Sequence, residues 1–231
     1  YGVGLDNIDL EEAKRRKIEV FNLPGINSDA VAELIVGLIL ALARKIVMSD
    51  KLLKKGDWKP QLGMSMQGKI LGIIGTGAVG LALVKMVSGL RMKVIGYDIN
   101  PNKYFVELGG QYMDKDDVIR KVDFLSVNIP LNNSTFHFIG ARELQLMKKT
   151  SYIINTSRGA VIDEQALYNS LVNKEIAGAA VDVFEAEPPM ESPLIKLDNV
   201  ITTPHLAAFT YETFRKMDEE SVAKLSTAFN D

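Results

Sequence analysis

Residues 69–98, KILGIIGTGAVGLALVKMVSGLRMKVIGYD, decide the fold. Residues 70–74 are apolar in succession, which suits a strand of a parallel sheet buried on both faces. The run breaks at Gly75-Thr76-Gly77-Ala78-Val79-Gly80, and a segment of helical period follows with Val79, Leu83, Met86, Val87 and Leu90 along one face. Residues 93–97 return as a second strand that ends at Asp98. Strand, glycine turn, helix and acid at these offsets make a dinucleotide-binding fingerprint, where a lone glycine motif would mean little. Gly75 permits the tight turn, Gly77 lets the backbone approach a pyrophosphate, and Gly80 lets the helix pack close to the strand. Unpaired N–H groups and the positive end of the helix dipole then face the phosphates. Asp98 would accept hydrogen bonds from both ribose hydroxyls and would repel a 2′-phosphate, so the expected cofactor is NAD rather than NADP.

Around this unit the composition is that of an ordinary globular protein. The chain has 231 residues, 47% of them hydrophobic, enough to bury a sizeable core. A formal charge of -2 gives no electrostatic footprint for nucleic acid. There is no cysteine, which excludes disulfides, zinc–thiolate sites and thiol nucleophiles and is compatible with an expected cytoplasmic location. The longest apolar stretch, residues 34–43, is too short to span a bilayer, so no membrane partner is expected. The chain opens on Tyr1, so a leader or a preceding domain would lie outside this sequence.

Before the fingerprint, Gly2-Val3-Gly4 reads as a backbone turn, residues 10–17 as a charged helix and residues 18–21 as a short strand. Residues 30–47, with an N-cap from Asn27, Ser28 or Asp29, carry Val31, Leu34, Ile35, Val36, Leu38, Ile39, Leu40 and Leu42 around nearly the whole circumference. Such a helix needs cover on all sides. A second copy of the chain would supply it, which makes residues 28–48 the expected homodimer contact; loops of the same chain are the alternative. Residues 49–68 read as a polar connector around Trp58. After Asp98 the alternation continues, with a helix from Pro101, strands over 122–127, 152–156, 176–183 and 200–202, and helices over 141–147 and 163–173. Alternation of this kind specifies a doubly wound parallel α/β sheet of the Rossmann type, whose ligands bind outside the carboxyl ends of the strands.

Those ends carry Gly75, Asp98, Asn128-Ile129-Pro130, Asn155-Thr156-Ser157-Arg158-Gly159, residues 182–187 and Thr203-Pro204-His205. A guanidinium, several acids and one of the two histidines therefore share one rim. Hydride transfer between a nicotinamide and a 2-hydroxy acid needs a group for the hydroxyl proton, a cation for the carboxylate and carbonyl, and a partner for the base. His205 offers an imidazole that can give and take a proton, Arg158 offers a planar fork, and Glu187 would hold the imidazole. Each also has a bland role: Arg158 as a solvated loop residue, His205 as the close of a Pro-linked turn, Glu187 as part of an exposed acidic loop. Asp182 reads as a cofactor contact, with a turn cap as the alternative. His137, away from any strand end, reads as a surface or packing residue, and no two histidines lie at metal-ligand spacing, so no metal is expected. A nucleotide-sensing module on the same fold is weighed down by the full Arg, Glu and His set. A methyltransferase with another nucleotide-like cofactor is disfavoured by the complete glycine motif.

Six segments, GVGLDNIDL, NSDAVAELIVGLILALAR, GKILGIIGTGAVG, NTSRGAVIDEQAL, AAVDVFEAEPP and TPHLAAFT, together resemble the D-isomer-specific 2-hydroxyacid dehydrogenases, most closely the D-3-phosphoglycerate dehydrogenase branch. The resemblance covers essentially the whole chain. It implies that Arg158, Glu187 and His205 are catalytic. It also implies that Ala78, Val79, Asp98, Ile129, Pro130, Thr156, Ser157, Arg158, Asp182, His205, Ala207 and Ala208 contact NAD alongside Gly75, Gly77 and Gly80, and that Val3 and Gly4 join Arg158 on the substrate carboxylate. The implied reaction is NAD-dependent oxidation or reduction of a small 2-hydroxy or 2-oxo acid, first a phosphoglycerate, with glyoxylate or hydroxypyruvate as alternatives. The implied layout is a substrate-domain remnant over 1–26, an NAD-binding domain over 27–208 with its dimerisation helix, and a tail over 209–231 whose helix, 211–229, returns toward the substrate domain. Ala78 departs from the pattern, because the family often has a basic residue there; the backbone donors are unaffected.

Overall fold

Among residues 2–228, which the computed structural model describes, seven parallel strands form one sheet. They are β1 (Ile70–Ile74), β2 (Lys93–Tyr97), β3 (Gly110–Tyr112), β4 (Phe124–Val127), β5 (Tyr152–Asn155), β6 (Gly178–Val181) and β7 (Val200–Thr202), in the order β3-β2-β1-β4-β5-β6-β7. This is the doubly wound Rossmann-type sheet that the sequence predicts. The order reverses between β1 and β4, which pair with Leu71 opposite Phe124 and Ile74 opposite Val127, so the ligand crevice opens beyond Ile74 and Val127.

The α-helices among the described residues are α1 (Leu10–Arg15), α2 (Ser28–Ala43), α3 (Ile46–Lys54), α4 (Ala78–Val87), α5 (Lys103–Glu107), α6 (Lys115–Lys121), α7 (Ala141–Leu146), α8 (Glu164–Val172) and α9 (Tyr211–Ala228), and both faces of the sheet are covered by helices. Successive strand residues point to opposite faces, and this sorts the core into two layers. Leu71, Ile73, Phe124 and Ile154 pack with α2 and α4, while Ile74, Leu125, Ile153 and Val181 pack with α6, α7 and α8.

Several sequence expectations need correction. The helix expected over 28–48 is two helices: α2 ends at Ala43, Lys45 takes the left-handed conformation at φ 52°, and α3 begins at Ile46. Residues 46–54, read as part of a helix and then a connector, form α3, whose Asp50–Lys54 pair lies on the solvent side at 2.7 Å. The lysines that suggested a connector are the wet face of a helix. Nor is α2 buried all round within this chain: Val31, Ile35, Leu38, Ile39 and Leu42 are covered, whereas Leu34, Val36 and Leu40 are half-buried and Glu33 and Gly37 are exposed. Residues 18–21 form no strand; Ile18 and Phe21 are exposed, and the segment is tied back where the Leu23 N–H donates to the Gly2 carbonyl at 2.9 Å. The sequence reading passed over β3 and α6, and α5 starts at Lys103 behind an Asn102 cap rather than at Pro101. The continuation of α9 to Phe229, the tail to Asp231, and Tyr1 lie outside the described residues. No helix among those described is long and apolar enough to cross a membrane.

Candidate active site

The glycine turn after β1 is built as a phosphate cradle. Gly75 has φ +91°, and a Cβ there would lie 2.6 Å from the Asn128 carbonyl oxygen. A Cβ on Gly80 would lie 2.6 Å from the Gly75 oxygen, so the bare residue lets α4 close onto the turn. Gly77 has nothing within 4 Å, and α4 begins beside it with no side-chain cap, leaving first-turn N–H groups at an open space. Asp98 is held at the end of β2: Oδ2 accepts the Thr76 N–H at 2.7 Å and Oδ1 the Asn100 N–H at 2.9 Å, with acceptor capacity left on Oδ1. Thr156 Oγ1 is buried and finds no hydrogen-bond partner among the described residues. An open cradle, an uncapped helix, a fixed acid and an orphan hydroxyl fit a dinucleotide.

The loop after β5 holds Arg158. Asn155, buried at the strand end, accepts the Ser157 N–H at 3.0 Å and the Ser157 hydroxyl at 2.8 Å, and its amide donates to the Arg158 carbonyl at 2.9 Å. The Arg158 guanidinium is fixed from far along the chain: Nε donates to both oxygens of Asp6 at 3.0 Å, and Nη1 donates to the Ser157 carbonyl at 2.8 Å. The hydrogen bond from Arg158 holds the Asp6 carboxyl below the ordinary carboxylate range. Gly4 makes room for this, since a Cβ there would fall 1.8 Å from Arg158 Nη2. Sequence reasoning missed Asp6 and Asn155. The only signal for Asp6 was its place two residues after Gly4, in a turn that had to be located in space first.

His205 follows β7 with its backbone in the left-handed region at φ 51°, and its N–H donates to the Asp182 carbonyl at 2.8 Å. Its Nδ1 faces Glu187 Oε2 at 2.8 Å, while Glu187 Oε1 accepts the Phe184 N–H at 3.1 Å. With Nδ1 engaged, Nε2 is the nitrogen left for a reactant, and the imidazole is 48% exposed. Asp182 is fully buried and accepts three hydrogen bonds from the turn that carries the histidine: Thr203 Oγ1 at 2.6 Å, the Leu206 N–H at 2.9 Å and the Ala207 N–H at 2.9 Å. This geometry favours the turn-cap alternative for Asp182.

Two clefts meet at Arg158. One, about 690 Å³, is lined by Glu187, His205 and Ala208; the other, about 540 Å³, by Val79, Ile129, Pro130, Thr156 and Ser157. Val3, Gly4, Asp6 and Arg158 line both. The structure thus brings Arg158, Glu187 and His205 together, with Val3 and Gly4 beside them. Ala207 and Asp182 line neither cleft, and Ala78 is exposed at the start of α4. His137 is more than a surface residue, because it pairs with Glu185 at 2.9 Å.

Residues 36–207 match the family described as D-isomer specific 2-hydroxyacid dehydrogenase, NAD binding domain. A glyoxylate reductase of Thermococcus litoralis is 44% identical over 239 residues, covering 99% of this chain and 72% of that protein. A D-3-phosphoglycerate dehydrogenase of Methanocaldococcus jannaschii is 44% identical over 215 residues, covering 91% of this chain and 41% of that protein. The crystal structure of D-lactate dehydrogenase from Aquifex aeolicus, complexed with NAD and lactic acid, superposes with a TM-score of 0.91 at 31% identity, covering 99% of this chain and 74% of the other. With the glycine cradle and the switch-point crevice already in place, these matches establish that the chain belongs to the D-isomer specific 2-hydroxyacid dehydrogenases and carries their NAD-binding domain.

Proposed function

We propose that this chain reduces a small 2-oxo acid without a phosphate group, of the glyoxylate or hydroxypyruvate class, and runs the reverse oxidation of the 2-hydroxy acid. The observation that carries the reading is the composition of the cleft beside His205. Among the described residues lining it, Arg158 is the one lysine or arginine, and Asp6, Glu185 and Glu187 are acids. One guanidinium suits one carboxylate, and three acids disfavour a second, doubly charged anion. The phosphoglycerate reading draws support from the Methanocaldococcus jannaschii relative alone among those named above.

In this reading the substrate carboxylate is held by Arg158 and the backbone N–H groups of Val3 and Gly4. A bound cofactor would supply the hydride to C2 as NADH in reduction and take it from C2 as NAD⁺ in oxidation. His205 Nε2 gives the carbonyl oxygen its proton in reduction and takes it back in oxidation, while Glu187 at Nδ1 stabilises the charged ring and fixes its tautomer. Gly77 and the start of α4 would hold the pyrophosphate of such a cofactor, and Asp98 its adenosine ribose. His205→Ala should lower turnover on glyoxylate by about 10²–10⁴-fold while NADH affinity stays unchanged. Unaltered turnover would refute the assignment, and a preference for 3-phosphohydroxypyruvate over glyoxylate would reverse the choice of substrate.

We further propose that residues 1–26 and α9 seat a substrate domain. Exposed Ile8 and Phe21, which line one cleft with exposed Leu225, support this, as does the Lys224 ammonium donating to the Asn22 carbonyl at 2.6 Å. A homodimer through α2 and α3 is supported by half-buried Leu34, Val36 and Leu40 and exposed Ile46, Leu53, Trp58 and Leu62. Sedimentation of wild type against Leu53→Lys would test it, since a charge in the contact should yield monomer.

A further inference from the structure

We propose that His137 is a positioning residue: it clasps Glu185 and so fixes the loop that presents Glu187 to His205. The proposal rests on the roles given above to Glu187 and His205. Glu185 is fastened at three points. Its Oε1 faces His137 Nε2 at 2.9 Å and accepts the Glu164 N–H at 3.0 Å, and its own N–H returns to Glu164 Oε2 at 3.1 Å. Glu164 is in turn engaged by the Ser192 hydroxyl. Two residues further on, Glu187 Oε1 accepts the Phe184 N–H, which ties the far end of the same loop to its beginning. The loop also rests on Gly159, where a Cβ would lie 1.9 Å from the Phe184 carbonyl carbon. His137 is itself held in the left-handed region at φ 49°, by its N–H on the Ala160 carbonyl at 2.8 Å and by the Phe136 ring stacked at 3.9 Å between centroids. Glu185 and Glu187 thus sit two residues apart on one short loop that is fastened at both positions.

His137, Asp163 and Glu185 also gather their ligand atoms within 4.8 Å of one another, as a metal site would. The details favour the clasp. The two ring nitrogens face different carboxylates, Nε2 toward Glu185 and Nδ1 toward Asp163 at 3.7 Å, whereas a single cation would use one of them. Glu185 Oε1 is shared between the His137 ring and the Glu164 N–H, which occupies both of its lone pairs, and Asp163 Oδ1 caps α8 through the Ala166 N–H at 2.8 Å.

The test uses the enzyme with NADH and glyoxylate. His137→Leu should lower kcat about 10-fold, the scale of one lost hydrogen bond to a charged group, with KM and NADH affinity within about twofold. It should also move the limb of the pH–rate profile that belongs to the His205–Glu187 pair, which a purely structural role would leave in place. His137→Gln, whose amide can still donate to Glu185, should restore most of kcat, and Glu185→Gln serves as the second lesion should His137→Leu fail to fold. A His137→Leu enzyme with wild-type kcat and pH profile overturns the clasp, as does failure of His137→Gln to rescue, or stoichiometric Zn²⁺ binding that His137→Leu abolishes. If His205→Ala kept its turnover the catalytic reading itself would fall, whereas loss in His205→Ala without loss in His137→Leu would sink the clasp alone.

Discussion

Gly4→Ala isolates the anion anchor from the rest of the molecule. The added Cβ would lie 1.8 Å from Arg158 Nη2, 2.7 Å from Asp6 Oδ1 and 3.1 Å from Arg158 Cζ. All of these are ends of flexible side chains, and Gly4 does not use the left-handed backbone region, so the alanine is tolerated by the fold. Reaching an ordinary 3.4 Å contact requires the guanidinium to retreat by about 1.6 Å, the difference between 3.4 and 1.8. A misplacement of about 1 Å in a substrate-positioning group costs about 10²-fold in rate, or about 2.7 kcal/mol of transition-state stabilisation. The Asp6–Arg158 pair is partly exposed, so its disturbance should cost at most about 1 kcal/mol of stability. Initial rates of glyoxylate reduction, followed by NADH absorbance, should show kcat/KM down about 100-fold. NADH affinity by fluorescence titration should hold, and urea unfolding should shift little. A Gly4→Ala enzyme with kcat/KM within about twofold of wild type would mean that the guanidinium seen against Gly4 is not the group that orients the substrate.

The cofactor cradle admits a complementary experiment. Gly77→Ala meets nothing within 4 Å in the protein, so stability should be unchanged while NADH binding weakens about tenfold or more, and equal affinity would place the phosphates elsewhere. Asp182→Ala strands the buried Ala207 N–H and the part-buried Thr203 hydroxyl and Leu206 N–H around a site that is itself fully buried. At about 1–3 kcal/mol each before relaxation, the loss should reach about 3–5 kcal/mol by urea unfolding, with Asp182→Asn milder; a cost under about 1 kcal/mol would show that the turn does not depend on it. Asp6 sets a pH dependence. Its folded pKa lies below the ordinary 3.8 because Arg158 donates to it, so its stabilising share is full above pH 3.8 and is lost as pH falls through the folded value. The stability gap between wild type and Asp6→Asn should therefore be constant near neutrality and close in strong acid, and a gap that widened on acidification would contradict the pairing.

The parts of the fold that were legible are those whose signal is local. β1, the glycine turn, α4 and β2 could be read at once because a buried parallel strand is a continuous apolar run and the helix repeats its own period. β3 and α6 escaped because Gly110–Tyr112 is three residues long and α6 offers only Val118 and Ile119 to the core. The break between α2 and α3 escaped for a different reason. Lys45 takes φ 52° without a glycine to announce it, and the lysines of α3 look like a loop until their helical face is known. In the site the same division holds. Arg158, Glu187 and His205 were legible because strand ends of a doubly wound sheet converge by topology. Asp6 and His137 act through partners 152 and 48 residues away, and nothing in their own neighbourhoods names those partners.

Residues 155–159 show why this chemistry tolerates so little displacement. Within five positions, Asn155 fixes the Ser157 backbone at the wall of one cleft, Arg158 stands between both clefts on Asp6, and Gly159 bears on the backbone that leads to Glu187. In the proposed reaction, the cofactor wall, the anion anchor and the partner of the acid–base histidine are therefore set by one turn at the end of β5. Gly4 yields at the cost of a side chain, because what it meets is flexible. A Cβ on Gly159 would meet main chain at 1.9 and 2.0 Å, so anything that widens it must move the Glu187 loop, which His205 and, in our proposal, His137 also hold. Under the proposed roles, the spacing between carboxylate anchor and proton donor is then a property of packed backbone rather than of the reacting side chains, which is the kind of preorganisation that proton transfer to a bound 2-oxo acid calls for.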